Sequence, residues 1–171
     1  MKLISVVTPC FNEEENVNKI YEEVKKNFSM FNDYCYEHIF IDNASTDNTV
    51  KLLKSITKLD NNVKIIVNSR NFGWFRSPYY GLLQANGEAV ILISADLQDP
   101  PDLIPYFIKK WEDGFKIVAG IKSQSDESSI LFFIRKLYYK LIKNLSDVEI
   151  ISNYIGFGLY DRSIIKILNQ F

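Results

Sequence analysis

The chain is sparing with the residues that support the commoner kinds of site. It holds 2 cysteines, 1 histidine, 7 glycines and 5 prolines among 171 residues. Cys10 and Cys35 lack Cys-x-x-Cys spacing, which excludes a disulfide framework and a thiolate zinc site. Both read as buried or half-buried thiols of a reducing compartment. The lone His38 lies inside a strand-like run with no second histidine at ligand spacing, so it reads as structural. Excess charge of one sign is missing as well: 20 basic against 21 acidic residues leave a net charge of -1. A nucleic-acid-coating protein needs a basic surface, so wholesale coating is excluded and only a local basic patch stays open. Long apolar runs are absent too. Val90–Ile93 and Ile130–Ile134 are far too short to span a bilayer. The opening Met1-Lys2-Leu3-Ile4-Ser5 is no signal peptide. The expectation is a cytoplasmic or peripheral globular domain, with 47% hydrophobic residues and an aromatic share of 14%.

What is present is alternation. Leu3–Thr8, Ile39–Ile41, Val63–Val67, Ala89–Ser94 and Phe115–Ala119 are apolar, β-branched runs suited to strands buried on both faces. Helical periodicity lies between them. Asn12 followed by Glu13, Glu14 and Glu15 predicts a helix start, continued by Val17, Ile20, Tyr21, Val24 and Phe28. A second helix carries Val50, Leu53 and Ile56. A third enters at Ser77-Pro78 and stops near Asn86-Gly87. A fourth runs from Pro100-Pro101-Asp102 to Asp113-Gly114. Gly120–Ser128 reads as a polar loop and Ile130–Leu145 as an amphipathic helix. Asp161–Phe171 begins another, with Asp161 as N-cap. This order predicts an α/β domain spanning 1–171: a mostly parallel sheet with helices on both faces. Ligands of such sheets bind outside the carboxyl ends of the strands, here Thr8–Glu13, Asp42–Asp47, Asn68–Gly73 and Ser94–Asp99.

Those ends lack a Gly-x-Gly-x-x-Gly turn, a Walker A loop and a Gly-x-Ser-x-Gly elbow. They do carry Glu13, Asp42, Asp47, Asp96 and Asp99. Clustered carboxylates repel one another unless a cation joins them, and hard oxygen ligands suit Mg2+ or Mn2+ bridged to phosphate. The residues therefore point to metal-assisted binding of a phosphorylated ligand, a nucleotide above all. Four of the acids have a structural alternative: Asp42 as a cap of the following loop, Asp47 at a helix terminus, Asp96 as a purely structural acid and Asp99 as cap of the Pro100-Pro101 helix.

Four strand-end motifs carry a resemblance. They are Val6-Val7-Thr8-Pro9-Cys10-Phe11-Asn12-Glu13-Glu14, Ile41-Asp42-Asn43-Ala44-Ser45-Thr46-Asp47-Asn48-Thr49, Arg70-Asn71-Phe72-Gly73 and Ala95-Asp96-Leu97-Gln98-Asp99-Pro100-Pro101, with Gly156-Phe157-Gly158-Leu159-Tyr160-Asp161 beyond. In this order they resemble family 2 glycosyltransferases of the GT-A fold, nearest to the polyprenyl-phosphate sugar transferases similar to dolichol-phosphate mannose synthase. The resemblance implies that Pro9, Phe11 and Glu13 shape the base and ribose pocket. It implies that Asp42 accepts the uracil imide N–H and that Arg70, Asn71 and Gly73 frame the opposite wall. Ser94, Ala95 and Asp96 then lie along the donor, with Asp96 holding the metal, Gln98 a further ligand, and Asp96 the central catalytic acid.

Two departures stand out. The family's usual acid-x-acid pair reads Ser94-Ala95-Asp96, which removes one carboxylate. The position before Phe157, an acid proposed as base in many relatives, is Gly156. Asp126, Glu127 and Asp161 are the neighbouring acids. A phosphate monoester, with a second pKa of about 6, is already anionic at neutral pH and needs little base. A sugar hydroxyl needs one more. The acceptor expected is therefore a polyprenyl phosphate at the cytoplasmic face of a membrane, with Lys122, Arg135 and Lys136 toward the lipid phosphate. Arg135, Lys136, Lys140 and Lys143 interleave with Phe132, Phe133, Tyr138 and Tyr139, the composition of a helix at an anionic membrane surface or, equally, of a core helix with solvated lysines. A glycan hydroxyl acceptor and a nucleotide-binding module without catalysis are the other readings. Relatives continue past the last helix, so the expectation is a catalytic domain cut from a longer membrane-associated protein, prone to self-association.

Overall fold

Residues 1–121 and 154–171 are described by the computed structural model of the chain. The β-branched runs form β1 (Lys2–Cys10), β2 (Tyr34–Asp42), β3 (Val63–Val67), β4 (Ala89–Leu92) and β5 (Ile117–Ile121), and β6 spans Tyr154–Asp161. The helices are α1 (Val17–Ser29), α2 (Thr49–Leu59), α3 (Gly73–Gln84), α4 (Ile104–Glu112) and α5 (Arg162–Leu168), with a 3-10 turn at Pro101–Leu103 before α4. Contacts group the chain into two units, Met1–Val118 with Phe157–Phe171, and Ala119–Gly156. The first holds the site. Of the second, the described parts are the end of β5 and the start of β6, where the Tyr154 hydroxyl donates to the Gly156 carbonyl at 3.3 Å.

The strand order is β3-β2-β1-β4-β6-β5. β1 pairs in parallel with β2 (Lys2↔Tyr34 to Cys10↔Asp42) and with β4 (Ile4↔Ala89 to Val7↔Leu92). Successive side chains of a strand point to opposite faces, and the core divides accordingly. Ile4, Val6, Phe40 and Ile91 pack with Ile20, Val24, Leu53, Ile104 and Phe107 of α1, α2 and α4. Val7, Ile39, Ile41 and Val90 pack with Leu82 and Ile165 of α3 and α5. Helices thus cover both faces, as the alternation predicts.

Four local readings are corrected. The helix at Asn12 begins at Val17, because Asn12 takes a left-handed φ of 56° and leads a separate turn closed by Asn16 N–H to Glu13 C=O. The helix at Ser77-Pro78 begins at Gly73, and Pro78 lies within it, where its missing N–H deletes the bond to Trp74 C=O. β6 is a strand where the sequence pattern shows only a motif. Its glycines Gly156 and Gly158 dilute the strand pattern, and it runs antiparallel to β4 (Ala89↔Asp161, Leu92↔Gly158). Cys35 is exposed at the start of β2, whereas Cys10 is buried.

The expected helix over 130–145 and most of the Gly120–Ser128 loop lie outside the described residues. α5 does begin at Asp161, whose carboxylate accepts from Ser163 N–H at 3.0 Å. His38 is fully buried beside the Thr8 hydroxyl at 2.9 Å. Burial pushes its pKa down to about 3.

Candidate active site

The parallel strands β1 and β4 are adjacent, while the chain between them runs outward through β2 and β3 and returns. That reversal leaves a crevice at the carboxyl ends of β1 and β4. A cavity of about 310 Å3 lies there. Three of the loops around it each hold one non-glycine residue in the left-handed region: Asn12 (φ 56°), Ala44 (φ 65°) and Leu97 (φ 59°). The fourth loop reaches Gly73 at φ 85°. Such conformations persist only where neighbours fix them.

Here the neighbours are the other loops. Asn12 Oδ1 accepts from Thr46 N–H at 2.8 Å, and Asn12 N–H donates to Ser45 Oγ at 2.9 Å. Glu13 N–H donates to Thr49 Oγ1 at 2.8 Å and Glu14 N–H to Asp47 Oδ2 at 3.1 Å. In return, Asn48 N–H donates to Glu14 Oε2 at 2.9 Å. The β1 and β2 loops are therefore zipped together. Asp47 stands at the α2 terminus. Burial would raise its pKa, but hydrogen bonds from Thr49 and from the Glu14 backbone reverse that and lower it. Cys10 lines the cavity, yet burial and then the charges of Asp42, Glu13 and Asp47 push its thiol pKa far up, so it is no nucleophile.

Of the residues singled out in the sequence, Pro9, Phe11 and Glu13 line the cavity from the β1 side. Asn71 and Gly73 line it from the β3 side, and Ser94, Ala95 and Asp96 from β4. Asp42 is not on that wall. It is fully buried, and its carboxylate accepts from the Ser45 hydroxyl and from Ser45 N–H at 3.0 Å. The next residue, Asn43, takes the wall position. A step of one along extended chain turns the side chain to the other side. Asn43 Nδ2 donates to Asn71 Oδ1 at 2.8 Å, while its Oδ1 accepts from Phe72 N–H at 2.9 Å and Asn68 Nδ2 at 3.2 Å. It ties the β3 loop to the end of β2. Arg70 is exposed, its guanidinium 4.8 Å above the Phe72 ring, and Gln98 is exposed on the β4 loop; neither lines the cavity. Trp74, Ser77 and Pro78 of α3 also line it. They escaped the sequence reading because α3 starts earlier than Ser77-Pro78 implied.

At the end of β4, Ser94 stands between two acids. Its hydroxyl lies 2.9 Å from Asp96 Oδ1 and 2.7 Å from Asp99 Oδ2, so its one proton serves one carboxylate at a time. Ser94 N–H adds a 3.3 Å bond to Asp99, and Gln98 N–H a 3.1 Å bond to Asp96 Oδ1. Asp99 is therefore a buried anchor for Ser94, not the cap expected at the prolines. These bonds occupy one oxygen of Asp96 and leave Oδ2 for the cavity. Among the described residues no group of three His, Cys, Asp or Glu could hold a metal by itself. The donor set fits Mg2+ or Mn2+ held by one carboxylate, with diphosphate oxygens and water completing the shell. Of the base candidates, Asp161 is engaged by Ser163, by Trp111 Nε1–H at 2.7 Å and by Lys116 at 3.1 Å. Burial would raise its pKa, yet these bonds hold it well below the usual carboxylate range. Asp126, Glu127, Lys122, Arg135 and Lys136 lie outside the described residues.

A family profile described as "Glycosyl transferase family 2" matches residues 5–168. The chain belongs to that family. As a family 2 glycosyltransferase it is 34% identical over 168 residues to an uncharacterized glycosyltransferase of Synechocystis sp., covering 98% of this chain and 52% of that one. It is 36% identical over 164 residues to the bactoprenol glucosyl transferase of Shigella phage SfV, covering 95% and 53%. The chain thus spans about half the length of the curated relatives it matches. Its fold is that of GT-A enzymes. A mannosyltransferase of Pyrobaculum calidifontis in complex with GDP-Man and Mn2+ matches 96% of the chain and 46% of its own at TM-score 0.66 and 18% identity. Glucosyl-3-phosphoglycerate synthase of Mycobacterium tuberculosis, in complex with Mn2+, UDP and glucosyl-3-phosphoglycerate, matches 95% and 58% at TM-score 0.62 and 20% identity. Among the described residues no helix is long and apolar enough to cross a membrane.

Proposed function

We propose that this chain is the donor-binding, catalytic part of a transferase that moves a sugar from a UDP-sugar to a polyprenyl phosphate at the cytoplasmic face of a membrane. The observation that carries the reading is the crevice itself: Asp96 presents one unoccupied carboxylate oxygen to a cavity bounded by Pro9, Phe11, Glu13, Asn43 and Asn71. The base end lies between the β1 and β3 loops and the diphosphate end at Asp96. Asp42 acts behind the wall by fixing Ser45, and Asn43 holds the wall in place. Bound Mg2+ or Mn2+ would supply charge neutralisation of the departing UDP. Asp96 would hold it, while Gln98, exposed and off the cavity wall, would not. Ser94, anchored on Asp99, sets the orientation of Asp96.

In the transfer an acceptor phosphate oxygen bonds to the anomeric carbon while the bond from that carbon to the UDP oxygen breaks and UDP leaves with the electron pair. A phosphate acceptor brings its own negative charge and needs little help from a general base. The name of the Shigella phage relative supports a lipid-phosphate acceptor.

The test has two arms. A thermal-shift series with UDP, GDP and ADP, each with and without Mn2+, should give the largest shift for UDP with Mn2+, lost in Asp96→Asn. Labelled sugar should then pass from UDP-sugar to polyprenyl phosphate and not to a glycan hydroxyl. Equal shifts for all three nucleotides would remove the uracil preference. Transfer to a hydroxyl acceptor would overturn the lipid acceptor, and binding with no transfer or donor hydrolysis would make the chain a nucleotide-binding module.

A further inference from the structure

Residues 61–87 contain no acidic residue, although the whole chain carries 21. The basic residues there are Lys64, Arg70 and Arg76. The structure places this cationic stretch at one edge of the sheet, as β3, the outermost strand, and α3. Every residue from Ser69 to Arg76 is exposed. Apolar side chains stand out on the same surface: Phe75 is 84% accessible, Trp74 68% and Tyr80 48%. Neither Arg70 nor Arg76 has an acidic partner among the described residues; the ion pairs there all use lysines. A groove of about 540 Å3 runs between β3 and α3, with Ile66, Phe72 and Tyr80 as apolar walls and Arg76 at its side.

An exposed aromatic cluster of this kind marks an interaction site. Tryptophan, phenylalanine and tyrosine interleaved with arginine is the composition that sits at a membrane–water boundary, rings at headgroup level and guanidinium groups on phosphates. We infer that the start of α3 docks on an anionic membrane surface, with Trp74 and Phe75 entering the headgroup region and Arg70 and Arg76 meeting lipid phosphates. Charge complementarity selects this occupant: the stretch holds no acid, and Arg70 and Arg76 are outside every ion pair among the described residues, whereas Lys64 is already paired with Glu37. Position agrees. Trp74 is shared between this surface and the wall of the donor cavity. A phosphate acceptor anchored in a bilayer reaches that cavity only if its rim lies at the membrane. That last point rests on the lipid-acceptor reading; the exposure and the charge do not.

The experiment uses the whole chain and vesicles of phosphatidylcholine, with or without phosphatidylglycerol. Trp74 is one of 2 tryptophans; Trp111 is half-buried and bonded to Asp161, so the part of the emission change that Trp74→Phe removes reports on Trp74. The expected result is a blue shift and co-flotation with phosphatidylglycerol vesicles, weakening as salt rises. The shift disappears in Trp74→Phe. The double variant Phe75→Ser/Arg76→Gln, altering two exposed side chains, should lower vesicle affinity at least about tenfold, since it removes one cationic contact with lipid phosphate and one inserted ring. Its UDP–Mn2+ thermal shift should stay unchanged, which shows that it is folded. Absence of the blue shift, or undiminished flotation of the double variant, would overturn the proposal. So would self-association, seen by sedimentation, that the double variant abolishes while vesicles bind neither form, since the occupant would then be a second copy. Vesicle binding through Phe75 and Arg76 in a chain that transfers sugar only to hydroxyl acceptors would support the surface and sink the lipid-acceptor reading alone.

Discussion

Ser94 decides how the cavity handles charge. An acid there would sit against Asp99, whose Oδ2 lies 2.7 Å from the present hydroxyl, and beside Asp96. Ser94→Asp should therefore cost about 1–3 kcal/mol in the presence of a chelator, because a hydrogen bond becomes a like-charge contact at a buried carboxylate. Mn2+ should recover more melting temperature in the variant than in the parent chain. A variant as stable as its parent without metal would mean that Asp99 turns away. Asn43→Ala should cost a similar amount, about 1–3 kcal/mol, by leaving Phe72 N–H without its acceptor and taking one of the two donors from Asn71 Oδ1, and should weaken the UDP-dependent thermal shift.

His38 makes a pH prediction. Unfolded, the imidazole titrates at about 6.5; folded, its pKa is about 3. Between these values the unfolded state binds more protons, so stability rises with pH and is lost as pH falls below about 6.5, by up to about 1.4 kcal/mol per unit. Denaturant titrations between about pH 6.5 and 5, above most carboxylate pKa values, should show that slope, and His38→Gln should flatten it. At this scale the sequence was legible where chemistry is local. Pro9, the next-to-last residue of β1, and Glu13, Asn71 and Asp96, in the loops beyond strands, do line the cavity. Asp42 and Asn43 were not separable, since which of two adjacent polar residues faces a cavity depends on where β2 ends, and propensity blurs that by a residue.

At the scale of elements, α3 is the piece most tightly fitted to the sheet. A Cβ at Gly81 would lie 2.8 Å from Val7 Cγ1 and 3.1 Å from Ile41 Cγ2. Both neighbours are buried and β-branched, so neither swings aside. Gly81→Ala gains about 1 kcal/mol of helix propensity but should be net destabilising by about 1–2 kcal/mol through overpacking, read from urea midpoints. Gly87→Ala should cost more, because its Cβ would meet Ser5 N at 2.5 Å, a backbone atom that cannot rotate away. Element type was legible wherever the apolar period was clean, as in β1, β3 and α2. It failed where side chains belong to loops in space and not in sequence. Asn12 has the composition of a helix cap, yet it is recruited by Thr46 across the crevice. Pro78 looks like a helix entry, yet α3 tolerates it inside its second turn. β6 was hidden by its glycines and by an antiparallel pairing that no alternation rule announces.

For the whole molecule, the surface that faces outward at β3 and α3 and the crevice at the strand ends meet at Trp74, so binding to donor and binding to vesicles should be coupled through that one side chain. Addition of UDP with Mn2+ should change the Trp74 emission; an unchanged spectrum under saturating nucleotide would separate the two. The order of the strands has a further consequence, which concerns synthesis. β6 occupies the slot between β4 and β5, but it leaves the ribosome after both. A nascent chain that has just delivered β5 has no partner for it, and the edge of β4, with Ala89, Val90, Ile91 and Leu92, stands open. At about 5–20 residues per second, the wait for β6 lasts several seconds. Unpaired apolar edges recruit other chains. A chain stopped at Ile121 should therefore pellet on release, while the chain completed through Asp161 closes the gap from within.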